Sequence, residues 1–237
     1  MFKKQCAIVM MGPPGGGKTT LARSLAARGP FAAVEPGNLL EKEIRQDTAL
    51  GRQIKHYKLA GELVPPEFVR QVLSGELQNA KGKHILFDGF PRSIAQIDTL
   101  AELLKEHGLD LCAVLIIELD LQTALQRITG RRICSQCGTV YNIYSKPPKQ
   151  PDVCDRCAGK LTQRADDGVE IVRNRLTTYE RETVPAIDYL RKQSPQLIWE
   201  ESAALSPERL LEQVWQRLEK AVSSQGEQSP VRRTLNS

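Results

Sequence analysis

The stretch Gly12-Pro13-Pro14-Gly15-Gly16-Gly17-Lys18-Thr19 fits GxxxxGK[ST], and its setting restricts the fold more than any other feature of the chain. The run CAIVMM (Cys6–Met11) before it reads as a buried strand, and a helix is expected to follow through Leu21–Ala27. Strand, glycine-rich loop and helix in that order let successive backbone N–H groups converge on phosphate oxygens, while the helix N-terminus adds its positive end. Lys18 is expected to reach the β- and γ-phosphates of a nucleoside triphosphate, and the hydroxyl of Thr19 or Thr20 to sit near Mg2+. A glycine-rich turn that binds nothing is the alternative, and the strand–loop–helix context argues against it.

The same rhythm continues. HILFDGF (His84–Phe90) reads as a second buried strand, flanked by helical stretches over Glu67–Gln78 and Ile94–Glu106. CAVLIIEL (Cys112–Leu119) is a third, whose unbroken apolar run suits a parallel strand covered on both faces. QLIWE (Gln196–Glu200) is expected at a sheet edge, and Ser206 with Pro207 opens a last helix. Strands alternating with helices predict an α/β layered sheet. Asp88 ends the second strand, where a carboxylate faces the ligand crevice of a parallel sheet, and its expected role is to hold a Mg2+-bound water. A turn aspartate at a strand end is the simpler alternative.

Two segments interrupt the pattern. Residues 35–64 are helical but punctuated by Gly51 and Gly61, and residues 130–167 are rich in Cys, Pro and turn residues. Both are read as excursions from a core spanning 1–222, followed by a disordered tail over 223–237. The second excursion carries Cys134 and Cys137, then sixteen residues, then Cys154 and Cys157. Two matched CxxC pairs with no histidine nearby predict a closed, structural four-thiolate Zn2+ site, which takes the place of a hydrophobic core in a small flap. A redox dithiol is the rival, disfavoured by the second pair. Cys6 and Cys112 stand alone in apolar runs and are expected to act as small buried hydrophobes.

Charge is equally local. From Arg127 to Arg164 there are eight Lys/Arg against two Asp/Glu, leaving 25 against 26 for the rest of the chain. A cationic flap suits a polyphosphate better than a duplex, so no nucleic-acid partner is expected. No run approaches the ~20 apolar residues of a membrane helix, and the short apolar stretch after the N-terminal stub is no signal peptide. The chain is therefore expected in the cytoplasm, away from membranes.

Taken together, the motifs resemble those of bacterial adenylate kinases of the zinc-lid type, over roughly residues 5–222. The matching stretches are GPPGGGKTT (12–20), GELVP (61–65), DGFPRSIAQ (88–96), GRRIC (130–134), CGTVYN (137–142), PPK (147–149) and QRADDGVEIVRNRL (163–176). The resemblance implies a P-loop core with five parallel strands, a nucleoside monophosphate (NMP)-binding segment near 35–64 and a zinc-containing lid near 130–167. It implies a monomer that transfers the γ-phosphoryl group of Mg·ATP to AMP, giving two ADP. Carried over by position, Gly15, Gly16, Gly17, Lys18, Thr19 and Thr20 bind ATP phosphates, Arg127 stacks on the adenine, and Val140 and Tyr141 lie over the nucleotide. Arg131, Arg164 and Arg175 gather phosphates from the lid side, with Arg164 and Arg175 also near the acceptor. Arg92 grips the acceptor phosphate; Gly89, Phe90, Pro91 and Gln96 contact the acceptor nucleotide, and Glu62, Leu63 and Val64 line its base pocket. Arginine suits this work because its rigid fork matches phosphate oxygens and phosphoryl transfer needs mainly positioning and charge stabilisation.

The acceptor side departs from the family. Where relatives usually read Thr/Ser-Gly-Asp-x-Leu-Arg, this chain reads Pro36-Gly37-Asn38-Leu39-Leu40-Glu41. Glu41 stands where an arginine normally grips the AMP phosphate, and Pro36 replaces a hydroxyl at the NMP site. Arg45, one turn on, is a candidate partner or stand-in for the missing cation. Two other functions therefore stay open at this point: a nucleoside monophosphate kinase with a different or broader acceptor, and a non-catalytic nucleotide-binding zinc protein.

Overall fold

The computed structural model describes residues 5–224. Of the tail expected to be disordered over 223–237, residues 223–224 instead end the last helix, while residues 225–237 and the first four residues lie outside the described residues. The central sheet takes its strands from β1 (Cys6–Met11), β2 (Phe31–Val34), β3 (His84–Asp88), β4 (Asp110–Glu118) and β8 (Ile198–Ser202), in the order β2-β3-β1-β4-β8. All four pairings are parallel. Parallel neighbours require crossovers, and the intervening helices supply them on both faces.

Period-two alternation divides β1 between two cores. Ala7, Val9 and Met11 face one layer, with α2 (Pro36–Arg45), α3 (Ala49–Ala60), α4 (Pro66–Asn79), α5 (Ile94–His107) and α8 (Val184–Gln193) contributing buried side chains such as Leu40, Ile54, Leu73, Leu100 and Ile187. Ile8 and Met10 face the other, against Leu21 and Leu25 of α1 (Lys18–Arg28) and Leu210, Val214 and Leu218 of α9 (Pro207–Ser224). As expected, β8 is an edge strand, and Ser206 caps α9 by accepting the Arg209 N–H at 3.3 Å. The four-residue β2 was not legible in the sequence, because its small FAAV segment carries no periodic signal of useful length.

Cys6 and Cys112 are buried, as expected, but they are not free hydrophobes. They form a disulfide between β1 and β4, with Cα atoms 5.7 Å apart. The parallel register, Cys6 opposite Asp110, shifts after Ala7 and brings the two side chains to the same face. Sequence spacing of 106 residues gave no indication of that meeting.

Between β4 and β8 the chain forms α6 (Leu121–Thr129), then a second, antiparallel sheet of β5 (Arg131–Cys134), β6 (Val140–Asn142) and β7 (Leu161–Thr162) in the order β6-β5-β7. Its own interior is small: Cys134, Tyr141, Cys154 and Leu161. It returns through α7 (Val169–Thr178), which packs Val172 and Leu176 against Ala124 and Ile128 of α6. Among the described residues no helix is long and apolar enough to cross a membrane.

Candidate functional site

The glycine-rich loop leaves the carboxyl end of β1, between β3 and β4, where the strand order changes direction and a parallel sheet forms its ligand crevice. At the end of β1 the loop turns so tightly that a Cβ on Gly12 would lie 2.3 Å from the Ile117 carbonyl oxygen, and φ there is +131°. Only glycine fits. Gly17, also at positive φ, hands the chain to α1, whose first-turn N–H groups at Lys18, Thr19 and Thr20 lack intrahelical acceptors. These donors and the positive end of α1 make an anion-binding corner.

Lys18 is buried within this corner, and its ammonium donates to the carbonyls of Gly12 at 2.8 Å and Pro13 at 2.7 Å. Burial pulls its pKa down to about 8; Asp88 opposes the shift, and Arg92 and Arg175 add to it. The hydroxyl of Thr19 donates to Asp88 Oδ2. Of the two threonines expected near Mg2+, it is therefore Thr19 that meets the carboxylate, while Thr20 is exposed. A hydroxyl beside a strand-end carboxylate is a donor set that suits a hard, oxygen-seeking cation.

Opposite the loop lies a charged cluster. Arg92, following β3, is fixed on three sides. Its Nε donates to Gly89 O at 2.6 Å, its N–H donates to Gln96 Oε1 at 2.8 Å, and its carbonyl accepts the Thr183 hydroxyl at 2.8 Å. Gln96 is buried and its amide nitrogen also reaches Val64 O at 3.4 Å, so it joins the 61–64 segment to the strand end. Arg131, entering β5, meets Asp167 through two hydrogen bonds of 2.8 and 2.5 Å, and Asp167 is fully buried. Arg175 on α7 lies 3.4 Å from Asp166 Oδ2 and 3.6 Å from Asp167 Oδ1. Arg164 contacts Asp166 at 3.2 Å and donates to Glu41 of α2.

The balance within the cluster follows from burial and pairing. Burial lowers the pKa of Arg92 and Arg175, with Asp166 holding against it in both. For Arg164, burial also works downward, but Asp166 and Glu41 outweigh it and the net shift is upward. Asp166 stays low because Arg164, Arg175 and Lys58 overcome its own desolvation. Each carboxylate is shared by several cations, which leaves positive potential for a polyanion to neutralise.

Two predicted residues sit apart from this cluster. Arg127 donates to Ala203 O at 3.0 Å and, among the described residues, pairs with none of the cluster's carboxylates. The Tyr141 ring is buried in the lid, where its hydroxyl contacts Cys154 Sγ at 3.5 Å and accepts the Asp155 N–H at 2.8 Å. It supports the cysteine cluster rather than presenting its ring to the crevice, whereas Val140 is exposed. Arg45 is exposed and no partner of Glu41; the carboxylate turns instead toward Arg164 and Lys58. Lys58 had no signal in the sequence, since its place depends on how α2 and α3 pack.

In the lid, the four Sγ atoms of Cys134, Cys137, Cys154 and Cys157 lie within 4.8 Å of one another. The Cys134–Cys157 and Cys137–Cys154 sulfurs are 3.5 and 3.6 Å apart. A tetrahedron with Zn–S bonds of about 2.3 Å has edges of about 3.8 Å, so both the donor set and its spacing fit a structural zinc ion. The small lid interior gives a metal a clear structural task.

The family model described as adenylate kinase matches residues 10–195. An adenylate kinase of Desulfitobacterium hafniense is 42% identical over 185 residues, covering 78% of this chain and 85% of the relative. An adenylate kinase of Caldanaerobacter subterraneus subsp. tengcongensis is 40% identical over 186 residues, covering 78% and 84%. One of a Thermoanaerobacter species is 35% identical over 220 residues, covering 92% of this chain and 99% of the relative.

Proposed function

The chain belongs to the adenylate kinase family, and from that premise we propose that it reversibly transfers the γ-phosphoryl group of Mg·ATP to AMP, giving two ADP. The observation that carries this reading is the convergence of Lys18, Arg92, Arg131, Arg164 and Arg175 on one crevice beside the glycine-rich loop.

ATP phosphates bind the N–H groups of Gly15 to Thr20, and Lys18 exchanges carbonyl partners for the β- and γ-oxygens. Arg127 lies against the adenine, with Val140 and the main chain of Tyr141 above it, the Tyr141 ring being turned into the lid. AMP sits between Pro36, the 62–64 segment and Gln96, with its phosphate toward Arg92. Arg131, Arg164 and Arg175 neutralise charge on the equatorial oxygens of the phosphoryl group in transit, while Asp166 and Asp167 keep those forks oriented. Thr19 and Asp88 would hold the Mg2+ that accompanies ATP, which would supply positive charge to offset that of the phosphates. Closing the lid excludes water, which otherwise competes as acceptor. The four lid cysteines would hold Zn2+ in a purely structural role.

The proposal places this reaction in the cytoplasm and within one chain, with no nucleic-acid or membrane partner. Initial rates of diphosphate formation with AMP, GMP, CMP and UMP test it. AMP is expected to be the preferred acceptor. Because Glu41 lies among the arginines, a different preferred monophosphate is the second reading. Absence of turnover with all four, together with salt-sensitive nucleic-acid binding, would point to a non-catalytic binding protein.

A further inference from the structure

One cation of the crevice has no counterpart among the family residues carried over above. Lys58, in the last turn of α3, is largely buried, with a fifth of its side chain exposed. Its ammonium donates to Gly37 O at 3.3 Å and lies 3.7 Å from Glu41 Oε2, both on α2. That same Glu41 oxygen accepts from Arg164 Nη2. A Cβ built on Gly37 would lie 4.0 Å from Arg92 Nη2, so the first turn of α2 borders the guanidinium expected to hold the acceptor phosphate.

Resting on the kinase reading above, we propose that Lys58 is a binding residue for the acceptor phosphate, replacing the cation absent from position 41. Glu41 then serves as an internal counter-charge. It occupies Lys58 and Arg164 and is displaced by the phosphate dianion of an arriving nucleoside monophosphate. Two features support this assignment. The ammonium is desolvated and held against a main-chain carbonyl in the first turn of α2, so it cannot be read as a solvated surface charge. The one carboxylate within 4 Å of it among the described residues, Glu41, is also contacted by Arg164, and Asp166 adds its charge from farther off, so a phosphate displacing Glu41 meets two cations at once. The chemistry required is that of a compact dianion, which a nucleoside monophosphate supplies.

The experiment is a charge transposition. With ATP saturating and AMP varied, or whichever of the four monophosphates the wild-type chain prefers, KM is measured for wild type, K58M, K58R and K58M/E41R. KM for ATP and thermal midpoints are recorded in parallel. Loss of a charge-assisted contact corresponds to about tenfold or more in acceptor KM for K58M, with KM for ATP within about twofold of wild type. K58R should stay within about threefold, and E41R should return most of the lost acceptor affinity to K58M. An acceptor KM unchanged in K58M, both KM values rising together, or no recovery in K58M/E41R overturns the assignment while leaving the kinase reading intact. A wild-type chain that forms no nucleoside diphosphate overturns the kinase reading and this inference with it.

Discussion

Glu41 on α2 and Arg164 at the return from the lid form an ion pair across 123 residues of sequence, so an acidic side chain is anchored among the cations of the charged cluster. The pair is partly exposed, 37% for Glu41 and 26% for Arg164, so water screens it and its net strength is modest. A modest pair is one that an incoming phosphate can break.

Removing the carboxylate should therefore help the acceptor. Glu41→Gln frees Arg164 and Lys58 from competition and is expected to lower KM for AMP about threefold to fivefold, the size of a screened pair. Glu41→Arg should act in the same direction. Initial-rate kinetics at fixed ATP measure this, and a KM that rises shows that Glu41 itself orients the acceptor site.

Asp167 is the opposite case. Fully buried, it receives two hydrogen bonds from Arg131 and lies 3.6 Å from Arg175. Asp167→Ala strands those guanidiniums, and urea denaturation should show a loss of about 3 kcal/mol, with turnover falling as both forks lose their orientation. Stability within experimental error of wild type would mean that the pairing only offsets the cost of burying Asp167.

The phosphate loop, Asp88 and the cysteine pairs were legible in the sequence because each is a local pattern of a few residues with one mechanical purpose. Glu41 was visible as an anomaly, but its partner was not. Helical spacing pointed to Arg45, which faces solvent, while the partners Lys58 and Arg164 come from α3 and from the lid return. The same limit hid the Cys6–Cys112 disulfide, which depends on strand register, and the inward position of Tyr141, which depends on the lid folding around its own sulfurs. Local chemistry is written in the sequence; long-range pairing of charges is set by how helices pack.

Lys18 gives a proton-linked prediction. Burial lowers its pKa to about 8, so a growing fraction is neutral as pH rises above that value. Polyphosphate favours the ammonium and raises the pKa, so ATP binding takes up protons near pH 8.5 and weakens as pH rises further. Calorimetry in two buffers of different ionisation enthalpy should give net proton uptake, and Lys18→Met should remove it. Proton release, or no difference between buffers for the wild-type chain, contradicts the assignment.

The lid should depend on metal. One zinc per chain is expected by elemental analysis, and Cys154→Ala should abolish it, lower the thermal midpoint and expose residues 135–160 to protease. Tyr141→Phe, which removes a hydroxyl bonded to Cys154 Sγ, should keep the zinc but weaken its retention against a chelator. A chain that folds, resists protease and holds no metal would remove the structural role assigned to these thiols.

The proposed transfer depends on a backbone-amide corner and Lys18 acting together with the arginines of the charged cluster. The most direct measurement is the rate of ADP formation from Mg·ATP and AMP by wild-type chain and by Lys18→Ala, at matched folding. The predicted result is steady turnover for wild type and a loss of about a thousandfold or more in kcat/KM for the variant. Equal turnover by the two chains would contradict it.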